Sequence, residues 1–281
     1  MSEIILDRQL IAGIVRPRRA NSHKGTYGHA LIVAGSKGKL GAAVIAARAS
    51  LRSGVGLLTV SVPLAERSII QTSIPEAMLV SRDELLISNY SALGVGPGMG
   101  TDSHAKKCLK KIIARAECPV VLDADALNLL SLEKKPFDII PAASILTPHP
   151  KEFDRLFGAS NCIKKREEKA LKLSLRYKGV IILKGQHTII AQDGIYFRNT
   201  TGNAGLAKGG SGDMLTGMVT AFLAQGYSLL ESAQIAVYIH GLAADITLET
   251  QSMESMLASD VIENIGKAFK TLFSQIEKVT N

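Results

Sequence analysis

Ala30-Leu31-Ile32-Val33-Ala34-Gly35-Ser36-Lys37-Gly38-Lys39-Leu40-Gly41 is the segment that decides the fold. Five apolar residues in a row read as a strand buried on both faces, and the glycines after them read as a turn. Ala42 to Ser53 follows as a helix of small residues, and Leu57 to Val62 as the next strand. Together they form a βαβ unit, the building block of a parallel sheet. The turn matches neither of two familiar phosphate loops. Leu40 stands where a P-loop needs a hydroxyl for Mg2+, and Val33 where it needs glycine. Gly35, Gly38 and Gly41 are spaced by three and do not make G-x-G-x-x-G. The small residues Gly41, Ala42 and Ala43 do let a ligand come close to the helix start.

Further apolar strands follow at Ala92 to Gly96, Pro119 to Leu122, Ser144 to Thr147 and Val180 to Leu183. Helical patterns fill the gaps at about 103–115, 150–157 and 164–177. Continuous apolar strands alternating with helices imply an α/β fold, its mostly parallel central sheet covered by helices on both faces. His187 to Ala191 and Ile195 to Arg198 flank Asp193-Gly194, which puts an antiparallel hairpin at one end of that sheet. Three helices close the chain at about 213–225, 229–248 and 258–276. Residues 1–29 read as polar and irregular. No linker, repeat or low-complexity tract interrupts the pattern, so residues 1–281 are expected to form a single domain.

Composition limits the function. The 281 residues, 46% of them hydrophobic, suffice for one large domain with a full core. A net charge of +8 suits an anionic ligand, yet Lys106, Lys107, Lys110, Lys111 and Arg115 lie opposite the stripe Ala105, Cys108, Leu109, Ile112 and Ile113. Those charges are a solvated helix face. No basic patch interleaved with aromatics argues for nucleic acid. Cys108, Cys118 and Cys162 are odd in number and lack C-x-x-C spacing, so neither a disulfide framework nor a zinc site is expected. No secretory leader is visible at Met1 to Asp7, and Arg48, Arg52, His240 and Asp245 interrupt the apolar stretches. A cytoplasmic protein outside the membrane is the expectation.

Ligands of open parallel sheets bind beyond the carboxyl ends of the strands. Here those ends carry Gly35 to Gly38, Gly96-Pro97-Gly98-Met99-Gly100, Asp123-Ala124-Asp125, Pro148-His149-Pro150 and Lys184-Gly185-Gln186-His187-Thr188. Asp123 and Asp125 either cap the following helix or face a ligand. His149, fixed between two prolines, points to substrate contact. Lys184 and the N–H groups around Gly185 suit a nucleotide phosphate or base. His23, His29, His104 and His240 read as structural or surface. The richest stretch is Asn203-Ala204-Gly205-Leu206-Ala207-Lys208-Gly209-Gly210-Ser211-Gly212-Asp213, directly before a helical run. Glycines at a helix N-terminus offer bare N–H groups to phosphate. Asp213 either complements the helix dipole or receives a proton from a group attacking that phosphate. The dipole alone lowers its pKa, which leaves a weak base that takes its proton late.

Thr147-Pro148-His149-Pro150-Lys151-Glu152, Lys208-Gly209-Gly210-Ser211-Gly212-Asp213, Ser22 to Gly28, Gly96 to Gly100, Leu122 to Leu127 and Leu183-Lys184-Gly185 together carry a resemblance over residues 20 to 275. The chain resembles the ADP- or ATP-dependent NAD(P)H-hydrate dehydratases of the ribokinase-like superfold. That resemblance implies Asp213 as catalytic base and substrate contact, with Ala42 or Ala43, Gly98 and His149 lining the hydrated-nicotinamide pocket. It implies Lys184, Gly185, Gln186, His187, Thr188 and Gly212 at the adenine nucleotide. It also implies an anion hole at Gly209, Gly210, Ser211 and Gly212. Mg2+ is implied with ADP or ATP as phosphoryl donor, its ligands unassigned, and so is a homo-oligomer. Bifunctional members carry an N-terminal epimerase domain, which this chain is expected to lack.

The implied reaction returns the S-epimer of NADHX or NADPHX, the hydrated dinucleotides, to NAD(P)H by phosphorylating the C6 hydroxyl and expelling phosphate. Two other readings compete. One is a small-molecule kinase of the same superfold, acting on hydroxymethylpyrimidine, hydroxyethylthiazole or a sugar. The other is a nucleotide-binding sensor without turnover, which the intact Gly209 to Asp213 run disfavours.

Overall fold

The computed structural model describes residues 3–274. Its first half comprises β1 (Glu3–Leu6), α1 (Arg8–Ile14), β2 (His29–Val33), α2 (Leu40–Arg52), β3 (Leu57–Val62), α3 (Arg67–Ser73), β4 (Met78–Ser81), β5 (Ala92–Val95), α4 (Ser103–Arg115) and β6 (Val120–Leu122). Then come α5 (Ala124–Leu130), β7 (Ser144–Leu146), α6 (Pro150–Phe157), α7 (Ile163–Ser174), β8 (Val180–Leu183), β9 (Ile189–Gln192), β10 (Ile195–Asn199), α8 (Ser211–Ala224), α9 (Leu229–Thr247) and α10 (Ala258–Phe273). The last helix is expected to run to 276, and its final two residues lie outside the described ones.

The strands form one sheet in the order β1-β10-β9-β8-β7-β6-β5-β2-β3-β4. Only β9 runs against the rest, antiparallel to both β8 and β10, so the expected hairpin lies near one end. It turns at Asp193 (φ 49°) and Gly194 (φ 76°), the left-handed pair that a two-residue hairpin turn needs. From β2 the chain builds outward to β3 and β4 on one side, then returns to β5 and builds toward β8 on the other. The order therefore reverses between β2 and β5, where a crevice opens beyond the strand ends.

The N-terminal segment is not irregular. Glu3 to Leu6 adds a parallel edge strand to β10, and Arg8 to Ile14 makes a helix whose first turn is capped by Asp7. Only Leu6 of that strand is buried, so its alternation is too faint to stand out. What ties it down is distant: Arg198 Nε donates to Glu3 Oε1 at 2.5 Å, and Tyr196 Oη donates to Glu3 Oε2 at 2.7 Å. The other edge, β4, with α3 before it, is a second pair that the apolar pattern does not reveal.

Two apolar cores cover the two faces. One joins α1, α2, α3, α8, α9 and α10 to the sheet, and the other joins α4, α5, α6 and α7. Helix α8 lies deepest, every residue from Met214 to Ala224 being buried. It fits between α2 and the sheet because glycines remove side chains at the contacts. A Cβ on Gly217 would sit 1.9 Å from the Ala46 carbonyl oxygen, and one on Gly94 would sit 2.3 Å from Thr220 Oγ1. Residue 212 lies beside Asp123 and Lys184 at the carboxyl ends of β6 and β8. Ala224 lies against Gly28 at the start of β2. The helix thus runs from the carboxyl ends of the central strands to their amino ends, about 20 Å. None of the described helices is long and apolar enough to cross a membrane.

Candidate active site

The crevice between β2 and β5 is floored by two loops that hold each other. Gly35 N–H donates to Pro97 O at 2.8 Å, and Gly96 N–H donates to Val33 O at 3.1 Å. Beneath them lies the buried Arg82, donating to Met99 O at 3.1 Å, to Ala34 O at 3.0 Å and to Gly35 O. Burial pulls its guanidinium pKa down. A Cβ on Gly98 would lie 3.0 Å from Ala42 Cβ, so these two expected pocket residues abut. Ala43 is fully buried in the core instead, which leaves Ala42 as the alanine open to a ligand.

Across the crevice stands the start of α8. Gly210 has φ 96°, a left-handed conformation that turns the chain into the helix at little cost for glycine. Among the described residues, the backbone N–H groups of Gly209, Gly210, Ser211 and Gly212 have no hydrogen-bond acceptor. A helix N-terminus with unpaired donors attracts phosphate. The loop before it is pinned to α9 by Asp245, which accepts from Gly202 N–H at 2.8 Å and from Asn203 Nδ2 at 2.9 Å. In the sequence Asp245 is visible only as an acid in an apolar helix. His240, one turn earlier on α9, is buried with Nε2 3.3 Å from the Ser211 hydroxyl, and burial lowers its pKa to about 4. A neutral histidine thus backs the glycine run, in agreement with a structural role.

Asp123 does not cap α5. It occupies the N-cap position with no side-chain cap bond. Its carboxylate instead takes Lys184 Nζ at 2.7 Å and the Thr216 hydroxyl of α8 at 2.7 Å. Asp125 accepts from Gly100 N–H at 2.9 Å, tying the β5 loop to the β6 loop. Lys184 lies over the α8 start, 3.1 Å from where a Cβ on Gly212 would be. After it, Gly185, Gln186 and His187 are exposed, and the Gly185 carbonyl accepts from the Thr188 hydroxyl at 3.3 Å.

His149 caps α6. Its Nδ1 accepts from Lys151 N–H at 3.1 Å and from Glu152 N–H at 3.4 Å, while Glu152 accepts from His149 N–H at 2.9 Å. Its Nε2 faces Glu152 Oε1 at 3.2 Å. Burial and then the Lys184 charge lower the His149 pKa, so this edge is neutral near pH 7. Burial raises that of Glu152. The ring stays half exposed, free on one face to meet a ligand.

Asp213 sits in the first turn of α8. Burial, and after it the Asp123 charge, push its carboxyl up to about 6 against the opposing pull of Lys184. The lowering expected from the helix dipole is therefore overturned: lost hydration and a second carboxylate outweigh a dipole that acts only near the helix end. A carboxyl near 6 is a competent base at neutral pH.

The comparisons with known proteins come down on one family. Its model, described as NAD(P)H-hydrate dehydratase, matches residues 30–267. The chain belongs to this family. It is 37% identical to an ADP-dependent (S)-NAD(P)H-hydrate dehydratase of Bacillus subtilis, over 90% of this chain and 94% of that one. A crystal structure of an ADP/ATP-dependent NAD(P)H-hydrate dehydratase from Bacillus subtilis, co-crystallised with ATP and Mg2+, superposes with TM-score 0.87 at 34% identity, covering 96% and 98% of the two chains. A ribokinase-like superfamily protein from Enterococcus faecalis superposes with TM-score 0.84 at 26% identity, covering 96% of each chain. The fold is ribokinase-like. The chain spans about half the length of the bifunctional NAD(P)H-hydrate repair enzymes that it also matches.

Proposed function

We propose that this chain dehydrates the S-epimer of hydrated NADH or NADPH to the reduced dinucleotide, with ADP or ATP as phosphoryl donor. The carrying observation is the Asp213 carboxyl, poised at about 6, beside four unpartnered backbone N–H groups. Lys184, Gly185, Gln186, His187, Thr188 and Gly212 bind the nucleotide, while Ala42, Gly98 and His149 border the nicotinamide. Asp213 takes the proton of the C6 hydroxyl as its oxygen attacks the terminal phosphorus, and the bond to the nucleotide oxygen breaks. The N–H groups of Gly209, Gly210, Ser211 and Gly212 hold the migrating phosphoryl. The ring nitrogen lone pair then expels phosphate from C6, and loss of the C5 proton restores the double bond. Water is thus removed as phosphate, with AMP or ADP left behind.

No three His, Cys, Asp or Glu side chains converge to hold a metal among the described residues. That fits Mg2+, which keeps its waters and rides on substrate phosphates rather than in a protein cage. Asp213 and Asp125 would meet its waters, and the ion would neutralise phosphate charge.

The test is direct. NADHX supplied with ADP or ATP and Mg2+ should regain reduced-nicotinamide absorbance, with one phosphate released per turnover. A stable phosphorylated product without phosphate release would make the chain a kinase instead.

A further inference from the structure

A cavity of ≈ 320 Å³ opens at the far end of α8, toward the amino ends of the central strands and opposite Asp213. Its floor is aromatic: Phe222 from α8 meets Phe269 of α10 edge-on with centroids 6.2 Å apart, and Phe273 stacks beyond at 6.3 Å. Its rim is cationic, with Arg16, Arg18 and Arg52 lining one opening. Such a combination of rings below and guanidinium groups above is uncommon in a void that merely failed to pack, since unfilled core is apolar throughout.

The arginines are held in place rather than spent. Arg16 stacks over the Tyr227 ring at 4.4 Å, with Glu231 3.3 Å away, and keeps more than half of its side chain exposed. Arg18 stacks over Tyr27 at 3.9 Å. Arg52 pairs with Glu263 at 2.6 Å, both side chains more than half exposed. Three cations against two carboxylates leave a positive mouth. Arg16 donates to Gly226 O at 3.5 Å and Arg18 donates to Gly54 O, and a guanidinium with five N–H donors keeps others for a carboxylate, sulfonate or phosphate. On the wall, Ser53 is 2% exposed and its hydroxyl has no hydrogen-bond partner.

We infer that this cavity is a second ligand site, separate from the nucleotide crevice, that takes a small organic anion with a flat aromatic body. The aromatic body lies against the ring cluster of Phe222, Phe269 and Phe273, and the anionic group meets Arg16, Arg18 and Arg52. The volume is within the range of small-molecule pockets. None of the residues that line it belongs to the reaction proposed above, so the site stands or falls independently of that reading.

Anilinonaphthalene sulfonate is a probe of this chemistry, with fluorescence as the readout. In saturating Mg-ATP, which occupies the crevice, the full chain should still bind it. Arg16→Gln, Arg52→Gln and Phe273→Ala should each weaken binding by about tenfold, a change of about 1.4 kcal/mol. All three should keep wild-type nucleotide affinity, which reports an intact fold. Phenylnaphthylamine, the same rings without the sulfonate, should bind about tenfold more weakly to the wild type and be indifferent to the arginine changes. Displacement of the probe by Mg-ATP, or undiminished binding in the two arginine variants, would overturn the assignment.

Discussion

Asp213 is poised by two neighbours of opposite sign. Burial raises its pKa, Asp123 raises it further and Lys184 lowers it, within a cluster that also includes Thr216. With a pKa of about 6, the base is lost below that pH, so kcat/KM should fall on an acid limb with its midpoint near pH 6. Asp213→Asn should reduce turnover by ~10²–10⁴; a fall of less than about tenfold would remove the carboxylate from the reaction. Asp123→Asn removes the charge that disfavours ionisation of Asp213, so its acid limb should move to lower pH in a rate profile. The residues of this cluster are visible in the sequence as polar strand ends. Their association is not, because 61 positions separate Asp123 from Lys184 and 93 separate it from Thr216. The sign of the Asp213 shift escapes the sequence for the same reason. A dipole is a local property that sequence reveals, whereas burial and a neighbour from another strand come only with the fold.

Helix α8 depends on what its glycines leave out. Gly217→Ala would place a methyl against the Ala46 backbone and push α2 from α8. Overpacking of this kind costs about 1–3 kcal/mol, read as a lowered midpoint in denaturant. A methyl added at Gly209, by contrast, would meet nothing within 4 Å, so Gly209→Ala should leave the midpoint within about 0.5 kcal/mol. Any loss of turnover in that variant then reports on phosphate contact. Elements buried on two sides are the legible ones: Val180–Leu183 is an unbroken apolar run, and the sequence places its bounds correctly. The sheet edges are not legible. Met78–Ser81 is at most half-buried and β1 buries only Leu6, so neither displays the alternation or the solid apolar run by which strands are read.

Across the whole molecule, two buried groups bias stability in opposite directions as pH falls. His240 is neutral in the fold with its pKa lowered to about 4, whereas an unfolded histidine takes up a proton near 6.5. The unfolded state binds more protons between those values, so stability is lost as pH drops through that window. Asp213 does the reverse. Its folded pKa, near 6, lies above the ordinary 3.8, so the folded state takes up the extra proton and gains stability over roughly pH 6 to 4. Thermal melts of the wild type should therefore change little over this span on account of these two groups. Asp213→Asn should melt higher than wild type at pH 8, by about 3 kcal/mol of stability, and lose that advantage on acidification. Identical pH profiles for the two proteins would contradict the burial of this carboxylate.

Strand β1 binds β10 through Glu3 and Tyr196, partners 193 positions apart. A ribosome adding 5–20 residues per second needs roughly 10–40 s to deliver the second after the first. During translation, therefore, β1 waits unpaired while the rest of its sheet assembles without it, and one rim of the nascent sheet stays open until β10 has left the exit tunnel.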